Sequence, residues 1–260
     1  QKILFEKIKT TFKHVIAPNC YHLRGPTIIH TLIQDIQQQL SSQHYHYVIK
    51  TDIASYYRSI DHQCLLQRLN ETYHDKMVLT YLERIITALL DIGGELLQKT
   101  TGIPQGSVLS GFFSALYLKP LDKVFAKRPS VFYVRYNDDI FILCRTKRHY
   151  ARAKRSLKQT VQSLKLSLSK RKTTMGALTS INNLKFLGMN FVVARTPQVS
   201  QFKIRPKYHV SCHLHATTIK KALVKAKLKL EVSQSPAVML AYLKRWGQWW
   251  DQSFKKLRPT

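Results

Sequence analysis

Two short β-rich runs with acidic residues between them constrain the fold of this 260-residue chain more than any other feature. The runs are residues 131–136 (VFYVRY) and 140–144 (IFILC), and Asn137, Asp138 and Asp139 separate them. Two strand-forming runs joined by so few residues predict an antiparallel β-hairpin, because Asn and Asp tolerate the backbone conformations of a tight turn. The predicted hairpin therefore carries two adjacent carboxylates at its tip.

A third aspartate ends another predicted strand, since residues 45–52 read as a strand whose last residue is Asp52. Turn formation alone explains acids at a hairpin tip, but carboxylates that lie close together repel each other and usually mark a cation site. Carboxylates are hard donors that suit Mg²⁺, and two such ions about 3.5–4 Å apart would bind the attacking and leaving oxygens of a phosphoryl transfer. Asp52, Asp138 and Asp139 are therefore candidate catalytic and metal-binding residues.

Sequence periodicity predicts helices and hairpins in the rest of the chain. The predicted helices cover residues 27–40, a short stretch capped by Asp61, a longer one capped by Asp75, residues 110–125, residues 148–164 and two stretches after about residue 213. Residues 184–193 read as a further strand or hairpin, with Gly188 inside it. Helices mixed with antiparallel hairpins indicate an α+β fold.

The charge of the chain is strongly positive and unevenly distributed. There are 42 Lys and Arg residues against 14 Asp and Glu residues, which gives a formal net charge of +28. Residues 145–172 contain 11 basic residues and no acidic one, and residues 201–260 contain 13 basic residues against two acidic ones. Such an excess predicts a polyanionic partner, most commonly nucleic acid, with an acidic membrane surface as the alternative.

Hydropathy and cysteine content indicate the compartment. The sequence contains no apolar run long enough for a transmembrane helix, so we expect no membrane partner. The four cysteines lie far apart without a Cys-x-x-Cys pair, which argues against a zinc site or a disulfide framework. We therefore expect a cytoplasmic protein.

Five short motifs carry a resemblance to a known family. They are residues 52–62 (DIASYYRSIDH), 102–110 (GIPQGSVLS), 136–139 (YNDD), 170–173 (KRKT) and 186–188 (FLG). They resemble, in the same order, the first aspartate motif, the Pro-Gln-Gly motif, the Tyr-x-Asp-Asp hairpin and the next two motifs of bacterial reverse transcriptases. The subfamily stays open among group II intron-like, defence-associated and orphan types.

The resemblance implies a fold and a division into domains. The fold would be the palm of a right-hand polymerase, an antiparallel sheet with helices, with a C-terminal helical thumb after it. Residues 1–200 would form the palm with a remnant of the fingers, and residues 201–260 a basic helical thumb. Residues 21–25 already resemble the segment that lies C-terminal to the basic fingers region in the family, so we expect fingers that are reduced or missing.

The resemblance also implies roles for residues at the metal site and the sugar. Asp52 and Asp138 would bind two Mg²⁺ ions, for which Mn²⁺ can substitute. Asp139 and the carbonyl of Ile53 would complete the site. The ring of Tyr57 would lie under the incoming sugar and exclude a 2′-hydroxyl by its bulk.

Further residues would contact the nucleotide and the primer. Gln105 and Gly106 would contact the incoming nucleotide, and Lys172 would lie near its triphosphate to neutralise or protonate the leaving pyrophosphate. The primer grip would consist of Phe186, Leu187 and Gly188.

Two positions depart from the family pattern, and one cluster has two interpretations. Asn137 stands where bacterial relatives usually have Ala, and Gly111 stands where Pro commonly comes after the Pro-Gln-Gly motif. Spacings of three and four residues bring three tryptophans to one face of a late helix. Core packing is the more frequent role of such a triplet, and stacking on nucleotides is the alternative; the residues are Trp246, Trp249 and Trp250.

The expected activity is that of an RNA-directed DNA polymerase, with an RNA template, a DNA or RNA primer and dNTPs as its partners. An accessory protein or an associated non-coding RNA stays open as a further partner. Two alternatives remain: a polymerase that makes DNA without a conventional template or primer in antiviral defence, and a non-catalytic nucleic-acid-binding scaffold. The presence of all three aspartates favours the catalytic interpretations.

Overall fold

The computed structural model of the protein describes residues 4–6, 8, 16–25, 27–88, 90–92, 95–97, 99–126, 128–200 and 203–255. Its helices and strands are, in chain order, α1 (Ile28–Ser41), β1 (Tyr47–Asp52), α2 (Tyr56–Ser59), α3 (His62–Thr72), α4 (Lys76–Ile86), β2 (Leu90–Ile92), β3 (Glu95–Leu97), α5 (Ser110–Tyr117), α6 (Lys119–Ala126), β4 (Val131–Tyr136), β5 (Asp139–Cys144), α7 (Lys147–Ser163), β6 (Thr174–Ala177), β7 (Asn183–Phe186), β8 (Met189–Ser200), β9 (Lys203–Leu214), α8 (Ala216–Ser233) and α9 (Pro236–Lys255). This mixture of helices and antiparallel strands confirms the predicted α+β class. None of the described helices has the length and apolar character that spanning a membrane requires.

The chain folds into two units. The first unit comprises residues 1–24 and 48–175, and the second comprises residues 25–47 and 176–260. Each unit is therefore built from two separate stretches of the chain. The assignment of residues 1–200 to a palm with a fingers remnant, and of residues 201–260 to a thumb, stays a prediction.

A four-stranded sheet with the order β4-β5-β1-β6 forms the centre of the first unit. Strands β4 and β5 form the predicted antiparallel hairpin, which runs from Val131 opposite Cys144 to Tyr136 opposite Asp139. Strand β5 lies between β4 and β1, and every residue from Ile140 to Cys144 is buried. A strand that is covered on both faces takes apolar residues at every position, which explains why this run does not alternate.

Side-chain caps begin two helices where the sequence predicts them. The carboxylate of Asp61 accepts a hydrogen bond from the backbone N–H of Cys64 at 2.9 Å. The carboxylate of Asp75 accepts from the N–H groups of Met77 at 2.9 Å and Val78 at 3.2 Å. Both caps satisfy N–H groups that lack a partner in the first turn of a helix, and both predictions are confirmed.

The prediction of one helix over residues 110–125 is wrong, because the chain forms two helices that meet at Leu118. Pro120 has no backbone N–H to bond the carbonyl of Leu116 one turn earlier, so a continuous helix cannot pass through it. The carbonyl of Leu118 instead accepts from the N–H of Leu121 at 3.0 Å and begins the second helix. Both helices bury aromatic side chains in the core: Phe112, Phe113 and Phe125.

Helix α7 presents a basic surface. Its buried residues are Ala153, Leu157 and Val161, which lie one turn apart on one face. The remaining faces carry exposed Lys and Arg residues. The helix is the basic one predicted over residues 148–164.

The second unit combines the antiparallel sheet β7-β8-β9 with helices α1, α8 and α9. Helix α1 packs on β9, where the amide of Gln37 donates to the carbonyl of Val210 at 3.0 Å. It also packs on α9, where the rings of His30 and Trp249 lie 4.6 Å apart. Trp250 is 6% exposed and contacts the ring of Trp249 at 4.7 Å. These tryptophans therefore pack within the second unit, as expected for the more frequent role of such a cluster.

Strand β9 is absent from the sequence-based prediction, which places only helices after residue 200. Apolar and polar residues alternate along Lys203–Leu214 (KIRPKYHVSCHL), which is typical of a strand with one buried face. Basic residues and a proline at the beginning of the run weaken this signal: Lys203, Arg205, Pro206 and Lys207. Pairing with β8 along its whole length stabilises the strand despite this composition.

Candidate active site at the β4–β5 hairpin

Asp138 lies in the two-residue turn of the β4–β5 hairpin. Tyr136 and Asp139 form the last pair of the hairpin, so Asn137 and Asp138 make the turn and Asp139 is the first residue of β5. The φ angle of Asn137 is 57°, in the left-handed region that tight hairpin turns require and that asparagine tolerates. The turn thereby brings two carboxylates to one end of the central strand.

Asp52 reaches the same place from β1, the strand next to β5. Only 2% of this residue is exposed, and its carboxylate lies close enough to that of Asp138 to raise the pKa of Asp138. The ammonium group of Lys172 contacts the same carboxylate. The backbone carbonyl of Asp52 accepts from the N–H of Ser169 at 2.8 Å, which fixes the segment leading to Lys172 beside the end of β1. The structure therefore brings Asp52, Asp138 and Lys172 into contact.

Crowding raises the pKa values of Asp138 and Asp139. The pKa of Asp138 is raised to about 7, mainly by burial and to a smaller extent by the negative charge of Asp52. The same two causes raise the pKa of Asp139, although the charges of Lys50 and Lys172 act to lower it. Ionisation of the carboxylates is thus unfavourable unless a positive charge compensates them.

A divalent cation fits the chemistry of this acidic cluster, which we define as Asp52, Asp138 and Asp139. In the part of the chain that the structure describes, no group of three or more His, Cys, Asp or Glu side chains is arranged to hold a metal ion. The cluster nevertheless offers hard oxygen donors of the kind Mg²⁺ prefers. The ammonium group of Lys172 contacts only one of them, the carboxylate of Asp52. Ile53, whose carbonyl is a predicted further ligand, is buried beside Asp52 and pairs with Leu168.

Hydrogen bonds connect Tyr57 both to the hairpin turn and to the loop of the predicted nucleotide contacts. The hydroxyl of Tyr57 donates to Oδ1 of Asn137 at 3.0 Å. Its backbone carbonyl accepts from the N–H of Ile103 at 2.9 Å, in the loop that carries Gln105 and Gly106. Gln105 is exposed, and Gly106 has a φ of 84°, which glycine adopts without strain. The roles of Tyr57, Gln105 and Gly106 in nucleotide binding stay predictions.

His22, which the sequence-based prediction omits, supports the turn from one side. Its Nδ1 accepts from the backbone N–H of Asn137 at 3.2 Å, and its Nε2 donates to the carbonyl of Gly111 at 3.0 Å. The pKa of His22 is lowered to about 4, mainly by burial and to a smaller extent by the charge of Arg135. The ring is therefore neutral and can accept a hydrogen bond at one nitrogen and donate one at the other. A Cβ at position 111 would lie 3.2 Å from Leu23, so the glycine that replaces the usual proline permits this close approach.

Arg135, which the sequence-based prediction of the site also lacks, supports the turn from within the core. Its guanidinium is fully buried and binds both oxygens of Asp122, at 2.9 and 2.5 Å. It also donates to the carbonyl of Asn137 at 2.8 Å, while the hydroxyl of Tyr133 donates to Asp122 at 2.6 Å. The sequence signal that could have identified this pair is an arginine inside the apolar strand β4, because a buried charge needs a partner.

The predicted primer grip lies in the second unit, at the turn between β7 and β8. Gly188 has a φ of 81°, and its carbonyl accepts from the hydroxyl of Thr218 at 2.8 Å and from the N–H of His215 at 2.9 Å. Phe186 is buried, and Leu187 adopts a φ of 48°. These contacts fix the turn to the beginning of α8. Its role as a primer grip stays a prediction.

Comparison with known sequences finds one matching family and one related curated protein. The family model described as "Reverse transcriptase (RNA-dependent DNA polymerase)" matches residues 1–191. The putative COX1/OXI3 intron 2 protein of Saccharomyces cerevisiae is 28% identical over 123 residues, which are 47% of this chain and 13% of that protein. The similarity thus covers a small part of the yeast protein.

The solved structures that resemble this chain include telomerases. The apo telomerase of Candida tropicalis, truncated from its C-terminal domain, has a TM-score of 0.58 at 15% identity, and the match covers 74% of this chain and 43% of the telomerase. The telomerase of Candida albicans, in complex with a TWJ fragment of telomeric RNA, has a TM-score of 0.55 at 15% identity, and the match covers 97% of this chain and 45% of the telomerase. The chain spans less than half of these telomerases. The likeness confirms the predicted polymerase fold.

Proposed function

Because the chain belongs to the reverse transcriptase family, we propose that it copies an RNA template into DNA by two-metal nucleotidyl transfer at the acidic cluster. The observation that carries the proposal is the approach of two carboxylates, that of the buried Asp52 at the end of β1 and that of the half-buried Asp138 in the turn before the neighbouring strand β5. Burial and the nearby charge of Asp52 raise the pKa of Asp138, so the carboxylate of Asp138 ionises readily only beside a compensating cation.

Asp52, Asp138 and Asp139, with the carbonyl of Ile53, would hold two Mg²⁺ ions, for which Mn²⁺ can substitute. The ions, when bound, lower the pKa of the primer 3′-hydroxyl and neutralise charge on the phosphates. The 3′-hydroxyl would release its proton to water, and its oxygen would form a bond to the α-phosphorus of the dNTP while the bond from that phosphorus to pyrophosphate breaks. Lys172, which contacts Asp52 at the edge of the cluster, is the cation available to neutralise or protonate the leaving pyrophosphate.

Three further residues would select and orient the nucleotide. The ring of Tyr57 would exclude a 2′-hydroxyl, and Gln105 and Gly106 would contact the dNTP. The hydrogen bond from the N–H of Ile103 to the carbonyl of Tyr57 supports this assignment, because it holds the loop with Gln105 and Gly106 against the segment with Tyr57.

The basic surfaces would bind the RNA template and the DNA or RNA primer. Helix α7 and the helices of the second unit carry exposed Lys and Arg residues, whose contacts with phosphates release counterions. An accessory protein or an associated non-coding RNA stays open as a further partner. The four cysteines are free, and we propose the cytoplasm as the place of action.

A primer-extension assay tests the proposal. The wild-type chain and its Asp138→Asn variant are given RNA or DNA templates, with and without primer, in the presence of Mg²⁺ or Mn²⁺. We expect the wild type alone to extend a primer on RNA with dNTPs. Product that forms without template or primer would favour the alternative polymerase in antiviral defence. Nucleic-acid binding without extension in any arm would contradict the proposal and favour a non-catalytic scaffold.

A further inference from the structure

The side chain of Asn137 connects three residues around the hairpin turn. Its Oδ1 accepts hydrogen bonds from the hydroxyl of Tyr57 at 3.0 Å and from that of Ser114 at 2.5 Å. Its Nδ2 donates to Oδ1 of Asp138 at 3.1 Å. The opposite orientation of the amide would direct its oxygen at a carboxylate, so these neighbours determine which end of the amide faces Asp138.

The backbone of Asn137 is held as firmly as its side chain. Its N–H donates to His22, and its carbonyl accepts from Arg135 at 2.8 Å. Arg135 and Ser114 are both fully buried, so they hold Asn137 from the core. A side chain bonded in this way has little freedom, and Tyr57 and Asp138 are fixed relative to each other through it.

Sugar selection therefore has a requirement beyond the size of the Tyr57 ring. The ring is only half-buried, and its hydroxyl is held by the bond to Asn137. A ring that lost this bond would turn more freely about its side-chain torsions, and its bulk would exclude a 2′-hydroxyl less often. The bond to Asp138 on the other end of the amide fixes the ring's position relative to the acidic cluster.

We propose that Asn137 is a positioning residue, and that its amide fixes the Tyr57 ring beside Asp138 and thereby determines discrimination between deoxyribonucleotides and ribonucleotides. This inference rests on the proposed function, because Tyr57 selects a sugar only if the site binds a nucleotide.

Four variants test the inference through the ratio of kcat/KM for dTTP to kcat/KM for UTP. Asn137→Gly removes the amide but accepts the left-handed backbone, and Tyr57→Phe removes the hydroxyl but keeps the ring. Each should lower the ratio by about three- to tenfold, which corresponds to the free energy of one hydrogen bond. Asn137→Asp keeps an acceptor for Tyr57 but turns a second carboxylate toward Asp138 in place of the donor, so it should lower the ratio as well. The control Gln234→Gly replaces another left-handed residue, exposed at the end of α8, and should change nothing.

The double variant Asn137→Gly with Tyr57→Phe shows whether both changes break the same bond. We expect its ratio to equal that of the single variants, because residues in one hydrogen-bonded unit are not additive. Additive losses, or wild-type ratios in both single variants, would overturn the inference while leaving the proposed function intact.

Failure of the wild type to extend a primer would instead contradict the proposed function. In that case, equilibrium binding of dTTP and UTP to the same variants tests the role of Asn137 in nucleotide preference. The inference stands if the wild type binds dTTP more tightly and both single variants lose the preference, and it falls if the wild type binds the two nucleotides equally.

Discussion

The ammonium group of Lys172 contacts the carboxylate of Asp52, although 64% of the lysine side chain is exposed and only 3% of the aspartate side chain. The lysine is thus the partner that can leave, whereas the aspartate is fixed at the end of β1. Because the ammonium group of Lys172 can move, it is suited to leave Asp52 and neutralise the negative charge of the leaving pyrophosphate.

The first prediction concerns this contact. We expect Lys172→Ala to lower the rate of single-nucleotide addition by about 100-fold or more, the usual value of a general acid, with little change in template binding. The neighbouring exposed residue Lys170 provides the control, and Lys170→Ala should change the rate much less. Equal rates for the two variants in rapid-quench experiments would exclude a specific role for Lys172.

The second prediction concerns catalysis by the acidic cluster. We expect Asp138→Asn to abolish DNA synthesis, because an amide cannot supply the negative charge that two divalent cations require. The far-ultraviolet circular dichroism spectrum and the affinity for RNA should stay close to wild type, since binding depends on the basic surfaces. Primer extension near the wild-type rate would refute the assignment of Asp138.

The third prediction concerns stability in the absence of divalent cations. The pKa of Asp138 rises on folding from 3.8 to about 7, so the folded chain retains a proton that the unfolded chain releases, and stability falls as the pH rises through this range. Asp138→Asn removes this effect. We expect its Tm to exceed that of the wild type at pH 8 and to match it near pH 4. A Tm difference that does not change with pH in differential scanning fluorimetry would contradict the raised pKa.

The fourth prediction concerns the Tyr57 ring itself. We expect Tyr57→Ala to admit ribonucleotides more readily than Tyr57→Phe does, because alanine removes the bulk as well as the hydroxyl. Steady-state incorporation of UTP against dTTP on an RNA template measures the difference. An unchanged preference in Tyr57→Ala would show that another residue excludes the 2′-hydroxyl.

The fifth prediction identifies the surface that grips the duplex. Replacing three exposed lysines of α8 by glutamine should weaken duplex binding and reduce the slope of log affinity against log salt by about three, or one for each lost phosphate contact. The residues are Lys220, Lys221 and Lys225. The matched set on α7 is Arg148, Arg152 and Lys158. If only the α7 set reduces the slope, the basic run of residues 145–172 is the gripping surface.

Local signals explain what the sequence could predict. The caps at Asp61 and Asp75 and the β4–β5 hairpin depend on residues within a few positions of one another. The break at Leu118 had a local signal as well, in Pro120, and the strand signal in β9 was obscured by its charges.

Contacts between distant parts of the chain explain what the sequence could not predict. Asn137 bonds His22, which lies 115 residues earlier, and Ser114, which lies 23 residues earlier. The contact of Lys172 with Asp52 spans 120 residues. No periodicity or spacing encodes such pairs, because they depend on the order of the strands in the sheet.

The division of the second unit between two stretches of the chain has a consequence for biosynthesis. Helix α1 leaves the ribosome before most of the first unit, whereas its packing partners β9 and α9 are made last. The apolar face of α1, with Leu32, Ile33, Ile36 and Leu40, therefore stays without its final cover until these partners have been translated. A nascent chain that stalls after residue 175 would carry this face uncovered, which makes the arrested product a substrate for chaperones and proteases.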